Sequence, residues 1–326
     1  MNTAPRPEFE IKISGRTVRM GARTLIMGVL NVTPDSFSDG GRYLNPVRAL
    51  QHGAELASQG ADWIDVGGES TRPGSQSVPA EEELRRVLPV IRGLKRRLPH
   101  VPISIDTTKA EVAEQALQAG ADILNDISGL RFDPRLAEVA CRYRAPIILM
   151  HLRGRPETMQ RLPFARHLWR SLTNGFETSI RRALHAGVQR SQIVLDPGLG
   201  FGKSRRQNYE ILAGLDRLQR FGFPLLVGAS RKSFVQAIAV GEGLDASPSR
   251  HITARYWPIA KAHRHESGRS RPNSEQNFTM LQAGDAAIVV AAILGGAHIV
   301  RVHDPGAILP AVRVADALLA ALRSQR

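Results

Sequence analysis

The sequence predicts an α/β protein folded as one (β/α)8 TIM barrel, with an N-terminal β-hairpin and an insertion before the last helix and strand. Three observations predict it. Short β-rich apolar runs alternate with longer helical patterns, as expected of βα units on a parallel sheet. Eight such runs can be found, the number that closes the commonest barrel. The chain has 326 residues, enough for the roughly 250 of one barrel plus an insertion.

The candidate strands are Leu25–Leu30, Trp63–Val66, Ile103–Ile105, Ile123–Leu124, Ile147–Met150, Ile193–Leu195, Leu225–Val227 and Ile299–Val302. Ahead of them, Phe9–Ser14 and Thr17–Met20 flank Gly15-Arg16, a hairpin suited to capping the barrel bottom. A short motif recurs before three strands. Gly60-Ala61-Asp62-Trp63-Ile64-Asp65 matches Gly120-Ala121-Asp122-Ile123-Leu124-Asn125, and Gly296-Ala297-His298-Ile299-Val300-Arg301 is a third copy. In each, glycine can end a helix in the left-handed conformation before the chain turns into a strand.

The pattern breaks between Val240 and Gly284. Ser247–Gln282 carries six Lys or Arg, two Glu and three His. An ordered excursion burying Ile252, Tyr256, Trp257 and Ile259 and a solvated insertion are both open readings. His251, His263 and His265 have no zinc-ligand spacing and read as surface histidines.

Composition narrows the function. The formal net charge is +14, but the arginines are spread through amphipathic segments such as Arg85-Arg86, Arg96-Arg97 and Arg181-Arg182. That reads as a solvated face, not a nucleic-acid footprint. Hydrophobic residues make up 42% of the chain, ample for a core. Lone Cys141 excludes an internal disulfide and any multi-cysteine metal site. No run approaches the roughly 18 apolar residues of a membrane span, and the N-terminus lacks a secretion signal. A cytoplasmic protein without membrane or nucleic-acid partners is expected.

Polar residues stand at nearly every strand's C-terminal end, where parallel barrels gather their chemistry. They are Asn31, Asp106, Asn125-Asp126, His151, Asp196, Ser230-Arg231-Lys232, and Arg301 with His303. Any one could be a strand-end cap; the set together points to a site. Asp106, Asn125 and Asp196 offer acceptors and an amide suited to a flat heterocycle with donor edges. Lys232, Arg301 and His303 suit an anion. Asp196–Lys203 is a glycine-rich loop without P-loop spacing, read as close backbone approach to a ligand. Asn31–Gly41 and Gly67–Gly74 are polar loops placed where mobile lids belong.

These segments resemble one family. Met27–Gly41 (MGVLNVTPDSFSDGG), Ile64–Gly74 (IDVGGESTRPG), Ser104–Lys109, Asn125–Gly129, Leu195–Lys203, Ser230–Ser233 and Ala297–Asp304 are similar to the dihydropteroate synthases, as is Met150–Gly154 with Thr158-Met159-Gln160. The resemblance implies the joining of 6-hydroxymethyl-dihydropterin pyrophosphate to p-aminobenzoate, with release of pyrophosphate. It assigns Asp106, Asn125, Met150, Asp196, Phe201, Gly228 and Lys232 to the pterin. Asn31, Arg301 and His303 would hold the pyrophosphate, with Mg²⁺ shared by Asn31 and Asp39. Phe37, Thr71, Arg72, Pro73 and Ser233 would build the p-aminobenzoate site. Catalysis would rest on Asp106, Lys232, Arg301 and His303. The resemblance also implies a homodimer. The departure from the family is residues 244–283, a basic insertion within the one domain spanning 1–326. The rival readings are a methyltetrahydrofolate:corrinoid methyltransferase barrel, a basic RNA-binding protein, and a catalytically impaired paralogue of the synthase whose insertion disturbs the lid or dimer. The first needs no pyrophosphate site, and no aromatic-interleaved basic motif supports the second.

Overall fold

The computed structural model describes residues 6–33, 46–72, 74–228, 230–239, 241, 243–245 and 274–324. Two antiparallel strands, β1 (Phe9–Ile13) and β2 (Arg16–Met20), precede a parallel sheet. Its strands are β3 (Leu25–Asn31), β4 (Trp63–Gly67), β5 (Ile103–Asp106), β6 (Ile123–Asp126), β7 (Ile147–Met150), β8 (Ile193–Asp196), β9 (Leu226–Gly228) and β10 (Ile299–Val302). They run in the order β8-β7-β6-β5-β4-β3-β10-β9. The seam between β8 and β9 closes through a parallel bridge from Leu195 to Leu225, with the Leu195 amide donating to the Pro224 carbonyl at 3.0 Å. The eight expected strands are the eight observed.

The outer strand faces carry Ile26, Leu30, Ile64, Val66, Leu124, Leu149, Leu195, Val227, Val300 and Val302, all buried beneath the helices. Those helices are α1 (Pro46–Ser58), α2 (Ala80–Arg97), α3 (Ala110–Gln118), α4 (Leu136–Tyr143), α5 (Leu168–His185), α6 (Arg205–Ala213), α7 (Ser233–Ala239), α8 (Ser274–Leu294) and α9 (Pro305–Ser324). Helix α8 begins at Ser274, earlier than the Gly284 at which the sequence resumes the expected pattern. The C-terminal part of the 244–283 segment is therefore helix, while 246–273 lies outside the described residues. Against the expectation that no run approaches a membrane span, helix α9 is long and apolar enough by composition to cross one. Here it packs on the barrel through Ile308, Val312, Ala315 and Leu319.

The lower half of the barrel interior is an apolar plug. Leu25, Met27, Trp63, Ile123, Ile148, Val194, Leu226 and Ile299 point inward and meet Ile11, Ile13 and Met20 from the hairpin. The hairpin's tight turn is Ser14-Gly15, with φ of 48° and 77°. This double left-handed pair suits the twist of a two-residue hairpin, and it falls one residue before the expected Gly15-Arg16.

The recurring motif has a mechanical meaning. Asp62, Asp122 and His298 occupy its third position. Their amides donate to the carbonyls of Ile26, Ile103 and Leu225 at 2.8, 2.7 and 2.8 Å. Their side chains accept from the amides of the same three residues at 2.9, 2.9 and 3.1 Å. Each copy clamps a new strand to its neighbour. The glycines opening the copies, Gly60, Gly120 and Gly296, have φ of 101°, 111° and 103°, as the pattern requires. Because the His298 Nδ1 must accept, its Nε2 carries the proton and donates to the Pro7 carbonyl at 2.9 Å. Burial holds that ring well below the usual imidazole range, at about 4.

Candidate active site

One pleat above the apolar plug, the inward positions turn polar. Trp63 gives way to Asp65, Ile123 to Asn125, Val194 to Asp196 and Ile299 to Arg301, and Asp106 joins them from β5. Side chains two residues apart share a face, so this polar floor rests directly on the plug. Arg301 organises it. Its Nε donates to the Asp65 Oδ2 at 2.6 Å and its Nη2 to the Asp106 Oδ2 at 2.9 Å. The Asn125 amide donates to the same Asp65 oxygen at 3.0 Å. The second oxygens of Asp65 and Asp106 are buried with no protein partner. Burial pushes the Asp106 carboxyl up to about 8; Arg301 opposes the rise and Asp65 adds to it. Burial also raises Asp196, against the pull of the Gly198 amide, which donates to its Oδ1 at 2.7 Å. Arg301 is raised: burial disfavours its charge, but Asp65 and Asp106 outweigh that.

The loop after β8 approaches its neighbours so closely that side chains are excluded. Gly198 has φ of 65°, and a Cβ there would lie 2.3 Å from the His151 carbonyl. Lys203 ties the loop down by donating to the carbonyls of His151, Gly198 and Phe201 at 3.0, 2.8 and 3.1 Å. Burial lowers its ammonium to about 7. The stem of Lys232 crosses Gly200, and its ammonium sits 4.3 Å from the centroid of the Phe201 ring. Burial, with Arg301 adding repulsion, brings Lys232 down to about 8. Phe201 and Met150 belong to an apolar cluster with Ile127, Leu152 and Met159. At Gly228 an added Cβ would meet open space. The pterin set of the sequence thus converges: acids and an amide below, Met150 and Phe201 at the side, Lys232 at the phenyl face.

Around the rim the charge is positive. His303 is half-buried with an unpartnered Nδ1, and desolvation followed by the charges of Arg231, Arg301, Lys232 and Arg72 holds its imidazole well below the usual range. The backbone of Arg231 is left-handed, with φ of 56°. Asp285 on α8 holds it there, accepting from the Arg231 amide at 3.0 Å and the Ser230 hydroxyl at 2.9 Å. Asn31 is half-buried, with its Oδ1 and the Asp106 Cβ each 3.6 Å from where a Cβ on Gly67 would lie. Ser233 is exposed at the first residue of α7. Thr71 and exposed Arg72 follow β4 on a loop whose Glu69 pairs with Lys109, itself 2.6 Å from buried Glu83. Phe37, Asp39 and Pro73 lie outside the described residues.

Two rim expectations resolve differently. The Asp126 carboxylate accepts from the amides of Ser128 and Leu130 and shapes the β6 loop, not the mouth. His151 turns toward α5, where its Nε2 lies 3.5 Å from the Ser171 hydroxyl. Asp65, Lys203 and Asp285 were not singled out from the sequence. For Asp65 a signal existed: it shares the parity of Trp63, so if one points inward both do.

A floor of hydrogen-bonding acids below a ring of cations defines a barrel enzyme that binds a planar donor-bearing ring beside an anionic group. The chain matches the sequence profile described as "Pterin binding enzyme" over residues 27–303. It is 46% identical to a dihydropteroate synthase from Synechocystis sp., covering 91% of each chain. Against that of Escherichia coli it is 39% identical, covering 92% of this chain and 94% of the relative. Among solved structures it is similar to the Yersinia pestis dihydropteroate synthase in a sulfonamide drug complex, with a TM-score of 0.79 and 37% identity over 96% of this chain and 100% of that one. The Xanthomonas albilineans enzyme with 4-aminobenzoic acid gives a TM-score of 0.78 and 35% identity over 96% and 99%. This chain belongs to the dihydropteroate synthase family.

Proposed function

We propose that the chain condenses 6-hydroxymethyl-7,8-dihydropterin pyrophosphate with p-aminobenzoate, forming 7,8-dihydropteroate and pyrophosphate in folate biosynthesis. The observation that carries this reading is the Asp65–Arg301–Asp106 constellation. Two buried carboxylates share one guanidinium and still present unpartnered oxygens, which the N–H edge of an aminopyrimidinone ring would satisfy. Asn125 and Asp196 extend that edge, while Met150, Phe201 and Gly228 take the ring's faces. Lys232 adds an ammonium beside it.

Heterolysis of the C–O bond leaves positive charge on the pterin methylene and negative charge on the pyrophosphate. The acids below favour the first. Arg301 spends Nε and Nη2 on the carboxylates, and its Nη1 is assigned here to the leaving group. His303, Arg231 and Asn31 stand with it at the rim. Preorganised charge of this kind acts where charge develops, at no cost of reorganisation. The arylamine of p-aminobenzoate is neutral and nucleophilic, so it captures the methylene carbon without a dedicated base; the proton it then loses goes to solvent. Thr71, Arg72 and Ser233 are assigned to p-aminobenzoate, with Phe37 and Pro73 by family resemblance. Compounds that mimic p-aminobenzoate should then compete for this site.

Mg²⁺ is the ion this reading implies. Among the described residues no group of three or more His, Cys, Asp or Glu could cage a metal. That fits an ion bound through one or two protein oxygens plus phosphate, as Mg²⁺ prefers. The Asn31 amide oxygen is a suitable donor, with Asp39 assigned by resemblance, and the ion would neutralise charge on the pyrophosphate. A homodimer is also proposed. Val314, Leu318 and Leu322 form an exposed apolar stripe on α9 at helical spacing, and sedimentation equilibrium tests it. The reaction itself is tested by supplying both substrates and Mg²⁺. Equimolar dihydropteroate and pyrophosphate, lost on omitting Mg²⁺, support the reading; pterin binding without turnover defeats it.

A further inference from the structure

A second cavity lies beside the mouth. A cleft of about 350 Å³ opens between α5 and the loops that follow β6 and β7. It touches the ring slot through Met150, yet most of its wall has no place in the reaction above. Three guanidiniums line it, from Arg131, Arg153 and Arg182. None of them pairs with a carboxylate among the described residues. Arg131 donates to the carbonyls of Ser128 and Gly154 at 3.2 and 2.9 Å, Arg153 to Pro163 at 2.8 Å, and Arg182 to Leu130 at 3.0 Å. The acid nearest in effect, Asp126, is already engaged by two amides. A guanidinium has five donors, so most of this capacity is unspent.

The wall also contains a group waiting for a partner. His151 is only 7% exposed, and its Nδ1 has no hydrogen-bond partner. Its electrostatic neighbours are Lys203, Arg131 and Arg153, all cations. Ser171 and Thr178 add hydroxyls from α5, and exposed Asn174 stands at the opening.

We propose that this cleft is a second anion site, separate from the Arg301–His303 rim, that takes a small phosphoryl oxyanion. Planar guanidiniums match phosphate oxygens in pairs. The volume stands at the lower limit of small-molecule pockets, which favours orthophosphate or pyrophosphate over a nucleotide. The site reports inward through His151, whose amide donates to the Asp196 carbonyl at 2.9 Å and whose carbonyl accepts from Lys203.

Calorimetric titration of the full chain with inorganic pyrophosphate, at physiological ionic strength, tests this. The wild type should bind two equivalents. Asn174→Asp sets a carboxylate at the opening without removing a buried donor; it should lose one equivalent or weaken it at least about tenfold by like-charge repulsion. That variant should keep wild-type kcat and melting temperature. Arg301→Ala should lose the other equivalent. A parallel titration with orthophosphate identifies the source: equal affinity marks a general phosphate site, and selectivity for pyrophosphate marks a site for the reaction's own product. One equivalent lost in Asn174→Asp but kept in Arg301→Ala leaves the cleft standing and removes the leaving-group role proposed for Arg301. A single equivalent abolished by Arg301→Ala and indifferent to Asn174→Asp overturns the proposal. So does a second equivalent displaced by ordinary chloride, which would mark an adventitious ion only.

Discussion

The two halves of the barrel interior are built on the same strands, one pleat apart, and do opposite work. The lower half, from Leu25 to Ile299, is apolar and sealed by the hairpin. In the upper half three carboxylates and an amide are buried beside a half-buried guanidinium, and two of the carboxylates keep orphaned oxygens. Burying charge costs several kcal/mol per ion unless partners compensate. The plug below supplies the surplus that makes the floor above tolerable. Stability and function are thus separated by about one pleat of β-strand, the distance from Trp63 to Asp65 or from Ile299 to Arg301.

Substitutions on either side of that divide should separate the two roles. The largest effect is expected below it. Trp63→Ala should cost about 3–5 kcal/mol, read as a lower urea midpoint, and leave the affinity of the surviving folded protein for pterin unchanged. Above the divide, Arg301→Ala should lower kcat by about 10²–10³ while barely weakening p-aminobenzoate binding; a normal kcat would remove Arg301 from the leaving-group role.

Acid should act on the lower half through His298. Its native value of about 4 lies below the unfolded value of roughly 6.5. Between these, the unfolded chain binds a proton that the native state refuses. Stability is therefore full above about 6.5 and falls on the way to about 4, by on the order of 3 kcal/mol from this ring alone. Urea midpoints at successive pH values should show this, and His298→Asn, which keeps an acceptor for the Leu225 amide, should flatten the slope. The upper half should show itself in catalysis instead. With Asp106 and Lys232 both near 8, kcat/KM for the pterin substrate should be bell-shaped with its summit close to that pH. Asp65→Asn should move the acid limb down, since the Asp65 charge is one of the causes that raise Asp106. The smallest effect belongs to the hairpin. Gly15→Ala meets no neighbour, but φ of 77° should cost about 1 kcal/mol in the urea midpoint.

The sequence made the barrel legible because nearly every strand is a short apolar run with a polar residue at or just past its end. The rim residues Asp106, Asn125, Asp196, Lys232, Arg301 and His303 could be found the same way. Asp65 escaped because it lies inside its strand, followed by Val66, where an end-of-strand search does not look. Asp285 escaped because it acts from a helix, through the backbone of Arg231, and nothing in its local pattern says so. The repeat containing Asp62, Asp122 and His298 was visible as a pattern. Its clamp was not, since a carboxylate and an imidazole do the same work only when both are acceptors.

The most direct test compares the two halves in one variant. Above pH 8, where the Asp106 carboxylate is ionised, Asp106→Asn should lose pterin affinity by about a hundredfold, the worth of hydrogen bonds to a charged acceptor. Its urea midpoint should stay level or rise, because a buried and incompletely paired carboxylate has been removed. A midpoint lowered as far as that of Trp63→Ala, with pterin affinity intact, would contradict the account and make the polar floor part of the scaffold.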